Sequence, residues 1–188
     1  MSLSSKNKKM LLEIARDEIK GQLLGERKDR QRDSELPEIF HIKCGVFVSL
    51  YVENKLRGCI GTFSEDKSLL SNIKRMALSA AMHDSRFTPI GAEETQDLRI
   101  EISVLTPRKK IHGPEDIEIG KHGIFVESGL NKGTLLPQVA KNQGWNADEF
   151  LGNCSKYKAG LGWDGWKTAS LYTYEATVFD SNSFQNNC

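Results

Sequence analysis

The run Val46-Phe47-Val48-Ser49-Leu50-Tyr51-Val52 alternates along its length. A period of two marks a strand with one face buried. After Glu53 it meets the turn pair Asn54-Lys55 and returns as Leu56-Arg57-Gly58-Cys59-Ile60-Gly61-Thr62, which predicts a β-hairpin. Two glycines bracket Cys59, and Arg57 stands two residues before it. Glycine permits close backbone approach, so Gly58 and Gly61 are candidate binding positions at the mouth of a cleft. The thiolate is the reactive form of cysteine, and a nearby guanidinium favours it. Two readings of Cys59 follow: a reactive thiol, or a structural cysteine buried in a strand.

The rest of the chain supplies what such a hairpin packs against. Leu11, Ile14, Ala15, Ile19 and Leu23 recur at helical spacing and predict a helix over residues 6–24, stopped by Gly25. Residues 26–35 are a run of mixed charges that reads as a solvated connector, ended by Pro37. Ser64 to Asp66 offer capping side chains for a helix over about 67–83. Its apolar stripe, Leu69, Leu70, Ile73, Met76, Ala77, Ala80 and Ala81, ends in small residues suited to close packing on a sheet. Residues 98–106 alternate Leu98, Ile100, Ile102 and Val104 with Arg99, Glu101 and Ser103, giving a further strand ended by Pro107. A turn at Lys121-His122-Gly123 leads into another strand, and Gly129 and Gly133 frame its return. Helices follow over 137–143, opened by Pro137, and from an Asn146/Glu149 capping box to about Ala159. A loop with Trp163 and Trp166, suited to stacking a ligand ring or to covering a core edge, precedes a last strand over 170–179. There Tyr172, Tyr174, Ala176 and Val178 share a face. The tail, 180–188, is polar. Hairpins with inserted helices predict an α+β fold, a mainly antiparallel sheet flanked by helices, in a single domain spanning 1–188 with its core over about 6–179.

Charge narrows the function classes. With 26 basic and 25 acidic residues the formal net charge is +1, which disfavours nucleic acid as a partner. No apolar run reaches the roughly 18 residues of a membrane span, and the first residues lack a signal-peptide core, so the chain reads as cytoplasmic. Cys44, Cys59, Cys154 and Cys188 form no C-x-x-C pair, and His41, His83, His112 and His122 show no metal-ligand spacing. No metal and no cofactor is predicted, and no phosphate loop or serine elbow is present. The remaining polar candidates are Arg57 with Cys59, the loop pair Asp84 and Arg86, Lys121 with His122, and Cys154. A cysteine nucleophile needs a base and an oxyanion donor. His122 or His112 would serve as base and the backbone N–H groups around Gly58 to Gly61 as donors.

The motif Leu56-Arg57-Gly58-Cys59-Ile60-Gly61-Thr62 resembles the signature of the AMMECR-one domain family, known in prokaryotes as AmmeMemoRadiSam system protein A. Asp84-Ser85-Arg86-Phe87, Gly120-Lys121-His122-Gly123 and Leu135-Leu136-Pro137-Gln138-Val139-Ala140 resemble further blocks of that family, in its order. The resemblance implies an α+β fold with a larger lobe, a smaller lobe and a groove between them that holds the signature. It implies association with a Memo-like protein and a radical S-adenosylmethionine protein, but no settled reaction. The expected function is an enzyme using Cys59 as nucleophile, Arg57 as anion clamp and His122 as base. Gly58, Gly61, Asp84, Arg86 and Lys121 would bind its substrate, a small molecule or a protein side chain. The alternative is a non-catalytic adaptor that binds a protein or ligand.

Overall fold

The computed structural model describes residues 3–25, 35–63 and 66–184. Most of the charged connector (26–34), the capping candidates Ser64 and Glu65, and the end of the tail with Cys188 lie outside the described residues. The described chain forms two compact units. The larger holds the residues up to Val104 and those from Thr177 onward; the smaller is Leu105–Ala176.

In the larger unit, helix α1 (Ser5–Leu24) is capped by Ser4, whose hydroxyl accepts from the Asn7 N–H, and closes at Gly25 in a left-handed conformation. Strands β1 (Val46–Val52) and β2 (Lys55–Thr62) form the expected hairpin, with Glu53 and Asn54 at positive φ in its turn. Helix α2 (Leu69–Met82) is capped by the Ser68 side chain. Strand β3 (Arg99–Leu105) pairs antiparallel with β1, which places β2, β1 and β3 side by side. Val46, Val48 and Leu50 of β1 and Ile100, Ile102 and Val104 of β3 face the same way. They form one core with Leu11, Ala15 and Ile19 of α1 and with Leu69, Ile73, Ala77 and Ala80 of α2. This is the alternation read from sequence, with helices covering the even-numbered face.

In the smaller unit, β5 (His122–Ser128) pairs with β6 (Asn131–Leu135) and with the first part of β7 (Ser170–Asp180), whose residues from Thr177 onward belong to the larger unit; both pairings are antiparallel. A short strand β4 (Lys109–Ile111), which carries the basic pair Lys109-Lys110, adds to β7. Helices α3 (Pro137–Gln143) and α4 (Ala147–Cys154) begin where Pro137 and the Asn146/Glu149 capping box predict. The residues expected to extend α4 do so as one wider π-helical turn, Ser155–Ala159, ending at Gly160. Buried Ser155 explains the widening, because its hydroxyl donates to the Gly162 carbonyl at 2.6 Å and draws the following loop back onto the helix end. Along β7 the residues that join the two apolar cores are Leu171 and Phe179, of the opposite parity to the face read from sequence. Tyr174 is nonetheless buried, because its phenol hydrogen-bonds Thr134 and the Leu135 carbonyl. The unit's core gathers Ile124, Val126, Phe150, Leu151, Cys154 and Trp166.

Candidate functional site

Residues on a strand point alternately to its two faces, so the helix-covered face of the larger unit leaves Ser49, Cys59 and Glu101 on the other. Register confirms the rung: Cys59 lies opposite Ser49, and Ser49 lies opposite Glu101. The Ser49 hydroxyl donates to the Cys59 sulfur at 3.2 Å. The thiol is half-buried, whereas Cys44 and Cys154 are buried. Burial pushes the Cys154 thiol up to about 12, as expected of an inert core cysteine.

Cys59 owes its position to two glycines and an ion pair. Gly58 faces α2, and a Cβ there would overlap the Ala80 carbonyl oxygen and lie 2.9 Å from its carbonyl carbon. Gly61 sits under the Phe47 ring of the opposite strand, which occupies the space of a side chain. The main-chain polar groups of Cys59 are used by neither β1 nor a further strand. Its N–H donates to Asp84 Oδ2 at 2.8 Å, and its carbonyl accepts from Arg86 Nη2 at 2.8 Å. Arg86 Nε and Nη2 in turn grip the two oxygens of Asp84 at 2.9 and 2.7 Å. The pair thus completes the hydrogen bonding of an edge strand, as a partner strand would. Asp84 is buried, with its side chain 3% exposed, while Arg86 is 53% exposed. The bonds from Arg86, with further help from the backbone N–H groups of Cys59 and Arg86, hold the Asp84 carboxyl down at about 2 against the opposing effect of burial. Asp84 chiefly holds Arg86 cationic, with a smaller contribution from the Cys59 side chain.

Tyr51, Arg99 and Glu101 share the face with Cys59. Burial raises Glu101 above the usual carboxylate range; the Arg99 cation opposes this and the Asp180 anion adds to it. Burial also raises the Tyr51 phenol, with the Glu101 and Cys59 charges adding and Arg99 and the Ser49 hydrogen bond opposing. The Arg99 guanidinium lies 4.0 Å from the Tyr51 ring centre and pairs with Asp180 at 3.2 Å. Ser49, Tyr51 and Glu101 were absent from the candidates drawn from sequence. Their signal is the strand parity: most residues off the core face of β1 and β3 are hydroxylic or ionisable, and solvent is the ordinary assignment for such a face.

Other sequence candidates have partners of their own. Arg57 Nε and Nη2 bond the two oxygens of Glu94 at 2.8 and 3.0 Å, and its remaining contacts go to Thr88. Arg57 thereby ties β2 to the segment before β3. In the smaller unit His122 opens β5, and its Nδ1 accepts from the Glu118 N–H at 3.1 Å. Lys121 pairs with Glu118 at 2.9 Å, both exposed. Among the described residues no three His, Cys, Asp or Glu side chains cluster as metal ligands, and no helix is long and apolar enough to cross a membrane.

These features define an α+β protein built on antiparallel strands, with a half-buried thiol on the polar face of its larger unit. The family model described as AMMECR1 matches residues 12–179. A protein of Methanosarcina acetivorans is 41% identical over 179 residues, covering 91% of this chain and 89% of its own. One from Methanothermobacter thermautotrophicus is 40% identical over 185 residues, covering 94% and 95%. The crystal structure of the uncharacterised protein PH0010 from Pyrococcus horikoshii superposes with a TM-score of 0.83 at 36% identity, covering 92% of this chain and 90% of that one. The chain belongs to the AMMECR1 family.

Proposed function

We propose that the larger unit carries an acyl-transfer site in which Cys59 is the nucleophile. The observation that supports it is the rung Cys59–Ser49–Glu101: a half-buried thiol that accepts from the Ser49 hydroxyl, with a carboxyl whose proton affinity burial has raised opposite Ser49 on the next strand. Cys59 and Glu101 stand two strands apart, about 10 Å, too far for direct proton transfer, so the Ser49 hydroxyl between them is the relay. A hydroxyl rotates and can accept from the thiol while donating to the carboxylate. As the sulfur–carbon bond forms on a substrate carbonyl, the thiol proton passes through Ser49 to Glu101. It returns to the leaving group as the carbonyl–leaving-group bond breaks. Water or an amine then cleaves the thioester and regenerates the thiol. The Asp84–Arg86 clamp fixes the Cys59 backbone and with it the position of the thiol. Arg57 and His122 have no part in this scheme. The substrate is an acyl group on a small molecule or protein side chain, in a pathway shared with Memo-like and radical S-adenosylmethionine proteins as the family resemblance implies.

Intact-protein mass after treatment with an activated thioester tests the reading. One acyl adduct per chain is expected, mapped to Cys59, absent in Cys59→Ser, with Cys154 unmodified. Glu101→Gln should slow the acylation by about a hundredfold, the usual scale of general-base loss. Reaction of Cys59 only after denaturation, or an unchanged rate in Glu101→Gln, would leave the adaptor reading in its place.

A further inference from the structure

The smaller unit holds a second concave site with a different chemistry. A cavity of about 190 Å³ is lined by Lys110 and His112 at the end of β4, by Trp166 and Lys167, and by Ser170 and Leu171 at the start of β7. Its lining includes two lysines and a histidine and no carboxylate. The side chains of Lys110, His112 and Ser170 make no hydrogen bond or ion pair among the described residues. Lys167 pairs with the exposed Asp164 at 2.7 Å and its ammonium lies 5.7 Å from the Trp166 ring centre, and such surface pairs exchange readily for a better partner.

Trp166 gives the second observation. It is only 9% exposed, it lines the cavity, and its indole N–H has no partner among the described residues. Buried donors are normally satisfied, and one left over on a residue that lines a positively charged cavity calls for an acceptor. The indole, the hydroxyl, the imidazole and the two ammonium groups all belong to residues that line this one small volume. A carboxylate offers two oxygens to such a set, whereas a phosphoryl group offers three and carries up to two charges. The volume is below the 300 Å³ or so of a site for a whole drug-sized ligand, so it fits an anionic headgroup and leaves the remainder outside.

We propose that this cavity is a phosphoryl-binding site, formed by Lys110, His112, Lys167, Ser170 and the Trp166 indole N–H. It is independent of the Cys59 chemistry and assigns a use to the basic step in β4 and to the Trp166 loop.

Titration of the full chain with inorganic phosphate, followed by the ¹H–¹⁵N resonances of the three tryptophan indoles at constant ionic strength set with chloride, tests it. The Trp166 indole should shift and saturate while Trp145 and Trp163 stay in place. Lys110→Gln, at an exposed strand position that core packing does not use, should weaken binding by about tenfold, the loss expected for one charge-assisted hydrogen bond. Phenyl phosphate should bind at least as tightly as inorganic phosphate if the natural ligand is an ester. The assignment is overturned if the Trp166 indole does not move, if all three indoles move alike, or if Lys110→Gln binds phosphate as the parent does. Cys59→Ser should titrate as the parent does, so this result and the acylation result are read separately.

Discussion

Gly58→Ala is expected to cost about 3–4 kcal/mol of stability, enough to unfold a substantial fraction of a domain of ordinary stability. The added methyl would overlap the Ala80 carbonyl oxygen, a backbone atom held within α2. Main chain cannot rotate away, so either β2 leaves β1 or α2 leaves the sheet, and both moves open the core around Leu50, Ile73 and Ala77. Gly61→Ala is the control. Its methyl would meet the Phe47 ring, and a ring can change rotamer, so a loss of about 1–2 kcal/mol is expected. Urea denaturation of the two variants beside the parent measures both. Equal losses would mean that α2 does not approach β2 as closely as Ala80 and Gly58 indicate.

That contrast shows what was legible in the sequence. Period-two patterning in 46–52 and 98–106 and period-3.6 patterning in 6–24 and about 67–83 mark faces, and the cores follow those faces. Pro137, Gly144 and the Asn146/Glu149 box mark helix ends because their chemistry is local. The reason for each glycine around Cys59 was not legible. One answers to a helix carbonyl and the other to a cross-strand ring, and these neighbours are set by tertiary packing. The site was half legible for the same cause. Cys59, Asp84 and Arg86 stood out as unusual residues in unusual places, but that Asp84 takes the Cys59 N–H depends on a loop 25 residues away. Ser49 and Glu101 carried no local peculiarity. They become candidates only when register sets them on one rung with the thiol. Which face of β7 meets a core was not legible, because its side chains serve two cores, Leu171 one and Phe179 the other, while the Tyr174 phenol is buried on the opposite face by its bonds to Thr134 and the Leu135 carbonyl.

Asp84→Ala is expected to cost about 3 kcal/mol, and the parent should lose part of that same contribution in acid. The substitution removes the acceptor of the Cys59 N–H and the ionic partner of Arg86. A buried donor left unpaired costs about 1–3 kcal/mol. Loss of a fully buried ion partner would cost more, but Arg86 is half exposed and recovers hydration, so the total stays near the lower bound of the 3–5 kcal/mol range for buried pairs. The pH dependence follows from the direction of the Asp84 shift. Its carboxyl titrates at about 2 in the folded chain against an ordinary 3.8, so the folded state binds fewer protons than the unfolded chain between those values. Stability is therefore fully present above about pH 4 and declines as pH falls toward 2, by about 1–2 kcal/mol after allowance for the exposed guanidinium. Glu94, held down chiefly by its bonds from Arg57, acts with the same sign. The difference between parent and Asp84→Asn isolates Asp84, since the Glu94 effect is common to both. Chemical denaturation from pH 5 to pH 2 should show the two stabilities converging as acid is added. A constant gap across that range would mean that the carboxyl stabilises β2 by shape and neutral hydrogen bonding, and that the charge on Asp84 does not hold Arg86 against the Cys59 carbonyl.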